Sequence, residues 1–293
     1  MHKPKTAYMK KAVSLPRRIL SVIWLLIKGM FLLYAVVFSI AGTIALYAVF
    51  QFVVAPLHQV KELQNSNPIE TAYMSRYRAT LGRHDTLVQV FVPIDSISIG
   101  LQHAVLAAED DGFYTHPGFD LEAIITAIEY NRVQNEIKMG ASTITQQLAK
   151  NLFLTNDKNY ERKYKELIYA LLMEKYLGKK RILELYLNYA QWGKTVFGCE
   201  TASRLYFKKS CRNLSPNEAA LLAAVLAKPS RVSPVNPNSS FIEQRVAVIA
   251  ANLYLHHLID DSGYTNLTGN PPPGKDSLDT AAANLRGDSG NSR

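Results

Sequence analysis

The chain has 293 residues, 48% of them hydrophobic, and a formal charge of +9, a length that allows one large domain or two small ones. Seven of its 33 lysines and arginines (Lys3, Lys5, Lys10, Lys11, Arg17, Arg18 and Lys28) precede an uncharged run from Gly29 to Pro56, and no acid does, so the remainder carries 26 basic against 24 acidic residues. That near balance argues against a nucleic-acid partner, and no Cys/His cluster has the spacing of a zinc site.

In chain order, residues 1–28 read as a basic tail suited to anionic lipid. Residues 29–56 read as a transmembrane anchor, because a crossing needs roughly 20 apolar residues. The run is too short for a two-helix hairpin and longer than the roughly 7–15-residue core of a cleaved signal. With the basic cluster ahead of it, the start of the chain is expected in the cytoplasm and everything after Pro56 outside it.

Residues 57–96 read as a mixed stalk with one candidate strand, Leu87–Pro93. From 97 to 260 the apolar periodicity is helical, with Gly, Pro and Asn as punctuation. It predicts helices over 98–110, 120–136, 143–153, 160–176, 180–190, 198–207, 216–227 and 240–257, enough for one compact α domain. Beyond Asp260 the composition turns Gly-, Pro- and Ser-rich, including Pro271-Pro272-Pro273, and 261–293 is expected to be a disordered tail. Cys199 and Cys211 fall in the outward part, where oxidation could pair them, but spacing alone leaves bonded and buried-thiol states both open.

Four stretches could carry chemistry. In Glu109-Asp110-Asp111-Gly112-Phe113-Tyr114-Thr115-His116-Pro117-Gly118 an apolar helix runs into three acids. The helix dipole disfavours negative charge there, and beside apolar surface such a carboxylate is expected to rise in pKa and serve as a base. The bland alternative is a solvated acidic turn with His116 as a structural hydrogen bonder. In Gly140-Ala141-Ser142-Thr143-Ile144-Thr145-Gln146-Gln147-Leu148-Ala149-Lys150-Asn151, Ser142 is a natural N-cap. Gln146 and Lys150 share a helix face beside Gln147 and Asn151, which suits an anionic, hydroxyl-rich ligand or, more simply, a polar surface. Arg162 and Glu166 form an i,i+4 pair with Lys158, Lys163 and Lys165 nearby, either a solvated face or a phosphate cradle. Lys179–Asn188 reads as a core helix.

The ordered set is more specific than its parts. Glu109-Asp110-x-x-Phe113-x-x-His116-x-Gly118, then Gly140 to Asn151, then Arg162-Lys163-x-x-Glu166, then Lys179-x-x-Ile182-Leu-Glu-x-Tyr-Leu-Asn188 resembles the signature series of glycosyltransferase family 51, the peptidoglycan transglycosylases. Gly198 with Tyr206-Phe207, and Leu214-Ser215-x-x-Glu218-Ala-Ala-Leu-Leu222, extend the likeness over about 95–258. Ala141 and Thr201 depart from the family's usual residues, and the two cysteines belong to none of its motifs. No Ser-x-x-Lys occurs, the motif a transpeptidase needs, so the resemblance is to the monofunctional members seen in Gram-negative bacteria.

That resemblance implies a mainly α, lysozyme-like fold with two lobes, the smaller dipping into the membrane, behind a single N-terminal transmembrane helix. It implies an inner-membrane enzyme, its catalytic domain periplasmic, that joins lipid II units to a growing lipid-linked glycan chain through β-1,4 bonds, with inversion and release of undecaprenyl pyrophosphate. By similarity Glu109 is the general base and Glu166 the second catalytic carboxylate. Lys150, Lys158, Arg162 and Lys163 face the pyrophosphate, and Ser142, Gln146 and Gln147 bind sugar or phosphate oxygens. Asp110, Phe113, His116, Thr143 and Asn151 complete the substrate-binding set. Glu166 would orient the cations or hold a divalent ion, Mg or Mn, and no other cofactor is implied. Cell-division or wall-synthesis proteins are the expected protein partners. A lytic muramidase of the same fold, acting on finished wall, and a non-catalytic scaffold are the rival readings.

Overall fold

The computed structural model describes residues 16–82, 85–136, 140–155, 160–236 and 239–274. Most of the basic tail, Lys158 and the chain beyond Gly274 lie outside the described residues. The chain divides into two units, Met1–Val54 and Ala55–Arg293.

The first unit is helix α1, Arg17–Val49, followed by one π-helical turn, Phe50–Val54. The helix starts well before Gly29 because Ile19–Ile27 is apolar as well, with Lys28 the only charge between the two runs. At ~1.5 Å per residue α1 is about 50 Å long, more than a hydrocarbon core of about 30 Å requires. None of its residues is buried. A helix that is apolar all round and covered by nothing matches lipid, not water, as its solvent.

The second unit is mainly α. Its helices are α2 (Ala55–Glu62), α3 (Ala72–Thr80), α4 (Ile99–Glu109), α5 (Leu121–Gln134), α6 (Ile144–Phe153), α7 (Tyr160–Tyr176), α8 (Gly178–Tyr189), α9 (Cys199–Phe207), α10 (Pro216–Ala224), α11 (Ser240–Leu255) and α12 (Asp261–Thr268). Two-residue strands β1 (Val88–Gln89) and β2 (Val196–Phe197) pair in parallel, with Val88 opposite Val196.

The eight helices read from periodicity are all present, and the last predicted turn of α10 tightens to a 3-10 turn, Val225–Ala227. Two regions differ from expectation. The stretch 57–96 carries most of α2 and all of α3, whose Val60 and Met74 enter the common core, and the expected strand Leu87–Pro93 shrinks to β1. Past Asp260 the chain is not disordered throughout: Asp260 accepts the Gly263 N–H, and Tyr264 packs edge-on against Tyr254, which together hold α12.

α8 is the hub of the core. Ile182, Leu183, Leu185, Tyr186, Leu187 and Tyr189 are all buried, while Lys180 in its first turn is exposed. α4 packs against α10 and α11, and α6 against α7 and α8. The small residues Ala219, Ala220 and Ala223 of α10 are buried and admit close approach. Ser215 and Glu218 exchange side-chain-to-backbone bonds at its start, with Pro216 in the first turn, a cap of about 1 kcal/mol. α5 is largely uncovered: of its 14 residues only Ala127 is buried, while Leu121, Ile125 and Ile128 are exposed at helical spacing on one face.

Candidate active site

Glu109 is the last residue of α4, which Ser98 caps at its start through the Leu101 N–H. Burial of Leu101, Ala104 and Val105 carries the helix inward, so the Glu109 side chain arrives below the surface, only 7% exposed. The last carbonyls of a helix lack partners within it, and α11 provides them. Asn252 Nδ2 donates to the Ala107 carbonyl at 2.7 Å and Arg245 Nη2 to that of Ala108 at 2.9 Å. The same guanidinium lies 3.7 Å from Glu109 Oε1, while Gln147 Nε2 donates to Glu109 Oε2 at 2.9 Å. Amide and guanidinium offset the dipole of α4, which disfavours an anion at this end. Gln147 is fixed in turn, since its Nε2 also reaches the Ser142 carbonyl at 3.3 Å and its Oε1 accepts from Tyr186 at 3.2 Å.

The N-cap of α6 is Thr143, one residue later than the Ser142 expected. Thr143 Oγ1 accepts the Gln146 N–H and donates to the Gly118 carbonyl at 2.7 Å, and Gln146 Oε1 accepts the Thr143 N–H at 3.1 Å. Asp110 Oδ2 accepts the Ile144 N–H at 2.9 Å, which fixes the same register. The other Asp110 oxygen meets His116 Nε2 at 2.8 Å, and the Gly118 N–H donates to His116 Nδ1 at 3.2 Å, leaving the ring proton on Nε2. Phe113 is completely buried, with Lys179 Nζ 4.5 Å from its ring centroid. Asp110, Phe113, His116 and Thr143 thus form a buckle between the turn after α4 and the start of α6. Gly118 has φ +98°, and a Cβ there would lie 2.8 Å from Glu174 Cγ on α7; only glycine allows this approach.

α7 contributes the cationic wall. Glu166, with a side chain 4% exposed, pairs with Arg162 Nη1 at 3.1 Å and with Lys163 Nζ, partners one helical turn away. One buried carboxylate against two cations leaves the wall net positive. Both Glu166 oxygens are engaged, and no group of three or more ligating His, Cys, Asp or Glu occurs among the described residues. This donor set does not fit a resident divalent ion.

A cavity of about 270 Å³ joins these parts: Glu109, Ser142, Gln146, Gln147, Lys150, Arg162, Lys163 and Glu166 all line it. A larger one of about 530 Å³ shares Gln147, Lys150 and Arg162 with it and adds Asn151, Lys228 and Arg231. Asp110 and Thr143 line a third, of about 80 Å³, together with Glu109 and Arg245. Phe113 and His116 line none of the three, and Lys158 lies outside the described residues.

Arg245, Asn252, Lys228 and Arg231 also line these cavities, and sequence reasoning passed over them. The signal for Arg245 is a charge set just before the wholly apolar Val246–Ala251, with Asn252 two turns further on and on the same face. Lys228 and Arg231 lie between helices, where periodicity says nothing.

A family model described as Transglycosylase matches residues 77–254. The chain is 43% identical over 217 residues to a biosynthetic peptidoglycan transglycosylase of Alcanivorax borkumensis, covering 74% of this chain and 85% of that protein. It is 43% identical over 224 residues to one of Haemophilus influenzae, covering 73% and 85%. With one of Burkholderia orbicola it shares 43% over 190 residues, covering 64% and 77%.

Proposed function

The chain belongs to the peptidoglycan transglycosylase family, whose helical domain is lysozyme-like, and from that premise we propose that it polymerises lipid II into β-1,4-linked glycan strands with Glu109 as general base. The observation that carries this reading is the one cavity shared by Glu109 and the cations Lys150, Arg162 and Lys163. A base and an anion-stabilising wall facing the same space are what a displacement from a diphosphate requires.

In this mechanism the acceptor 4-hydroxyl attacks the anomeric carbon of the donor and passes its proton to Glu109. The bond from that carbon to the diphosphate oxygen breaks, and undecaprenyl pyrophosphate leaves with the bonding pair. A single displacement inverts the centre. Base assistance of this kind is worth about 10²–10⁴ in rate. Lys150, Arg162 and Lys163, with Lys158 added on sequence grounds, stabilise the departing charge electrostatically. Glu166 holds Arg162 and Lys163 in place, and Gln147 orients the base. Ser142, Gln146 and Asn151 offer hydrogen bonds to sugar or phosphate oxygens. The larger cavity, with Lys228 and Arg231, lies within the size range of ligand pockets.

α1 supports a single-pass anchor in the cytoplasmic membrane, and the basic residues ahead of it support a cytoplasmic start and an outward catalytic domain at 97–260. The exposed apolar face of α5 supports contact of that domain with a lipid surface.

The test uses full-length protein, labelled lipid II and gel separation of the products. Glu109→Gln is expected to lower glycan formation at least 100-fold with an unchanged circular dichroism spectrum and melting temperature, and near-normal turnover refutes the assignment. Release of muropeptides from finished wall, with no use of lipid II, supports the muramidase instead.

A further inference from the structure

Cys199 and Cys211 line none of the three cavities described above, yet both are completely buried and their sulfurs lie 3.9 Å apart. Cys199 opens α9, and Cys211 opens the 3-10 turn Cys211–Asn213. Between them the chain reverses at Lys208, which has φ +60°. Bonds that involve neither sulfur hold the reversal. Glu200 Oε2 accepts from the Cys211 N–H at 2.8 Å and from Ser210 Oγ at 3.0 Å, and Ser203 Oγ donates to the Lys209 carbonyl at 2.8 Å. The backbone therefore brings the sulfurs into contact without any bond between them.

We propose that Cys199 and Cys211 are a disulfide-forming pair that closes when the chain folds in the presence of a disulfide oxidant, locking the start of α9 to the Cys211 turn. Going from 3.9 Å to a bond of about 2.05 Å asks each sulfur to move roughly 1 Å, a small side-chain rotation. Chemically, the thiolate of one cysteine attacks a sulfur of the oxidant, a small-molecule disulfide or a thiol oxidoreductase, and forms a mixed disulfide. The second thiolate then displaces the oxidant's remaining sulfur. Two protein thiols give up two protons and two electrons, and the oxidant leaves as two thiols.

Closure belongs to folding and not to the finished fold. Burial shields the native pair from reagents, and contact with Cys199, burial and the nearby Glu200 together push the Cys211 thiol up, which leaves little thiolate to react. The lock reaches the base-bearing helix from its far end. The Cys211 carbonyl accepts the Ser98 N–H at 3.2 Å, and Ser98 is the N-cap of α4. The bond is therefore expected to raise stability and leave turnover unchanged.

In the cell, closure also rests on the outward placement proposed above, and the experiment separates the two. Full-length protein is made by cell-free synthesis in detergent, with either oxidised glutathione or a reductant, then denatured and alkylated with a mass-tagged maleimide. The oxidised sample is expected to take no tag, the reduced sample two, and oxidised Cys199→Ser one. The oxidised form should melt roughly 5 °C above the reduced form, while a Cys199→Ala/Cys211→Ala variant melts alike in both. Two tags on the oxidised wild type overturn the proposal. The same labelling is applied to protein from acid-quenched cells. A bonded pair there supports both readings, whereas two tags there, with none on the cell-free oxidised sample, refute the outward placement and leave the pair standing.

Discussion

At Glu109 two side chains from distant parts of the chain decide where the carboxylate points. Gln147 gives a direct hydrogen bond at 2.9 Å and Arg245 a longer contact at 3.7 Å, so the amide is the tighter constraint. Gln147→Ala is expected to lower kcat about 10- to 100-fold, because a base displaced by about 1 Å loses much of its effect, and KM should change less. Steady-state kinetics on lipid II check this, and an unchanged kcat removes Gln147 as a positioning residue. Glu109 itself stands out in the sequence, since an acid closing an apolar helix needs a reason. Arg245 does not. Its significance lies in reaching a carbonyl and a carboxylate more than a hundred residues away, and no local pattern encodes that.

Elements with a strong apolar period were legible and those held by caps and long-range contacts were not. α6, α7 and α8 follow from the spacing of their apolar residues. α3 has a polar sequence, and it exists because Thr71 accepts the Met74 N–H and Met74 is buried. β1 and β2 pair residues far apart in the chain, a match invisible in either segment. α9 illustrates the energetic side. Although burial pushes the Glu200 carboxyl up, hydrogen bonds from Cys211, Ser210 and Arg204 outweigh it and hold the group below the usual carboxylate range. A carboxyl lowered by folding contributes stability above its unfolded pKa, and that contribution is lost as pH falls through the folded value. Glu200→Gln is therefore expected to cost about 1–2 kcal/mol near neutral pH, read as a melting temperature several degrees lower. The gap to wild type should narrow as the pH is taken below about 4. Parallel melts of the two proteins check it; a gap that stays constant in acid excludes this role for the carboxylate.

At the scale of the whole molecule, the proposed function gives α1 the task of meeting the substrate and the second unit the task of reacting with it. Both substrates of the proposed reaction carry lipid tails, so tethering acts as a raised effective concentration at the surface. Removal of residues 1–54 is expected to lower turnover of lipid II in vesicles roughly 10-fold or more, and to change turnover of a detergent-dispersed short-chain analogue much less. Equal losses on both substrates argue that α1 serves the fold instead. The carbonyl of Ala108 finds its donor 137 positions later, on Arg245. During N-to-C synthesis a ribosome therefore makes the carboxylate long before it makes the guanidinium. Until α11 has been translated and has docked, the reactive centre lacks one of its walls. On the proposed reading of Glu109 as base, a chain whose α11 has not yet docked is expected to lack turnover, and competence arrives as one of the last events of its folding.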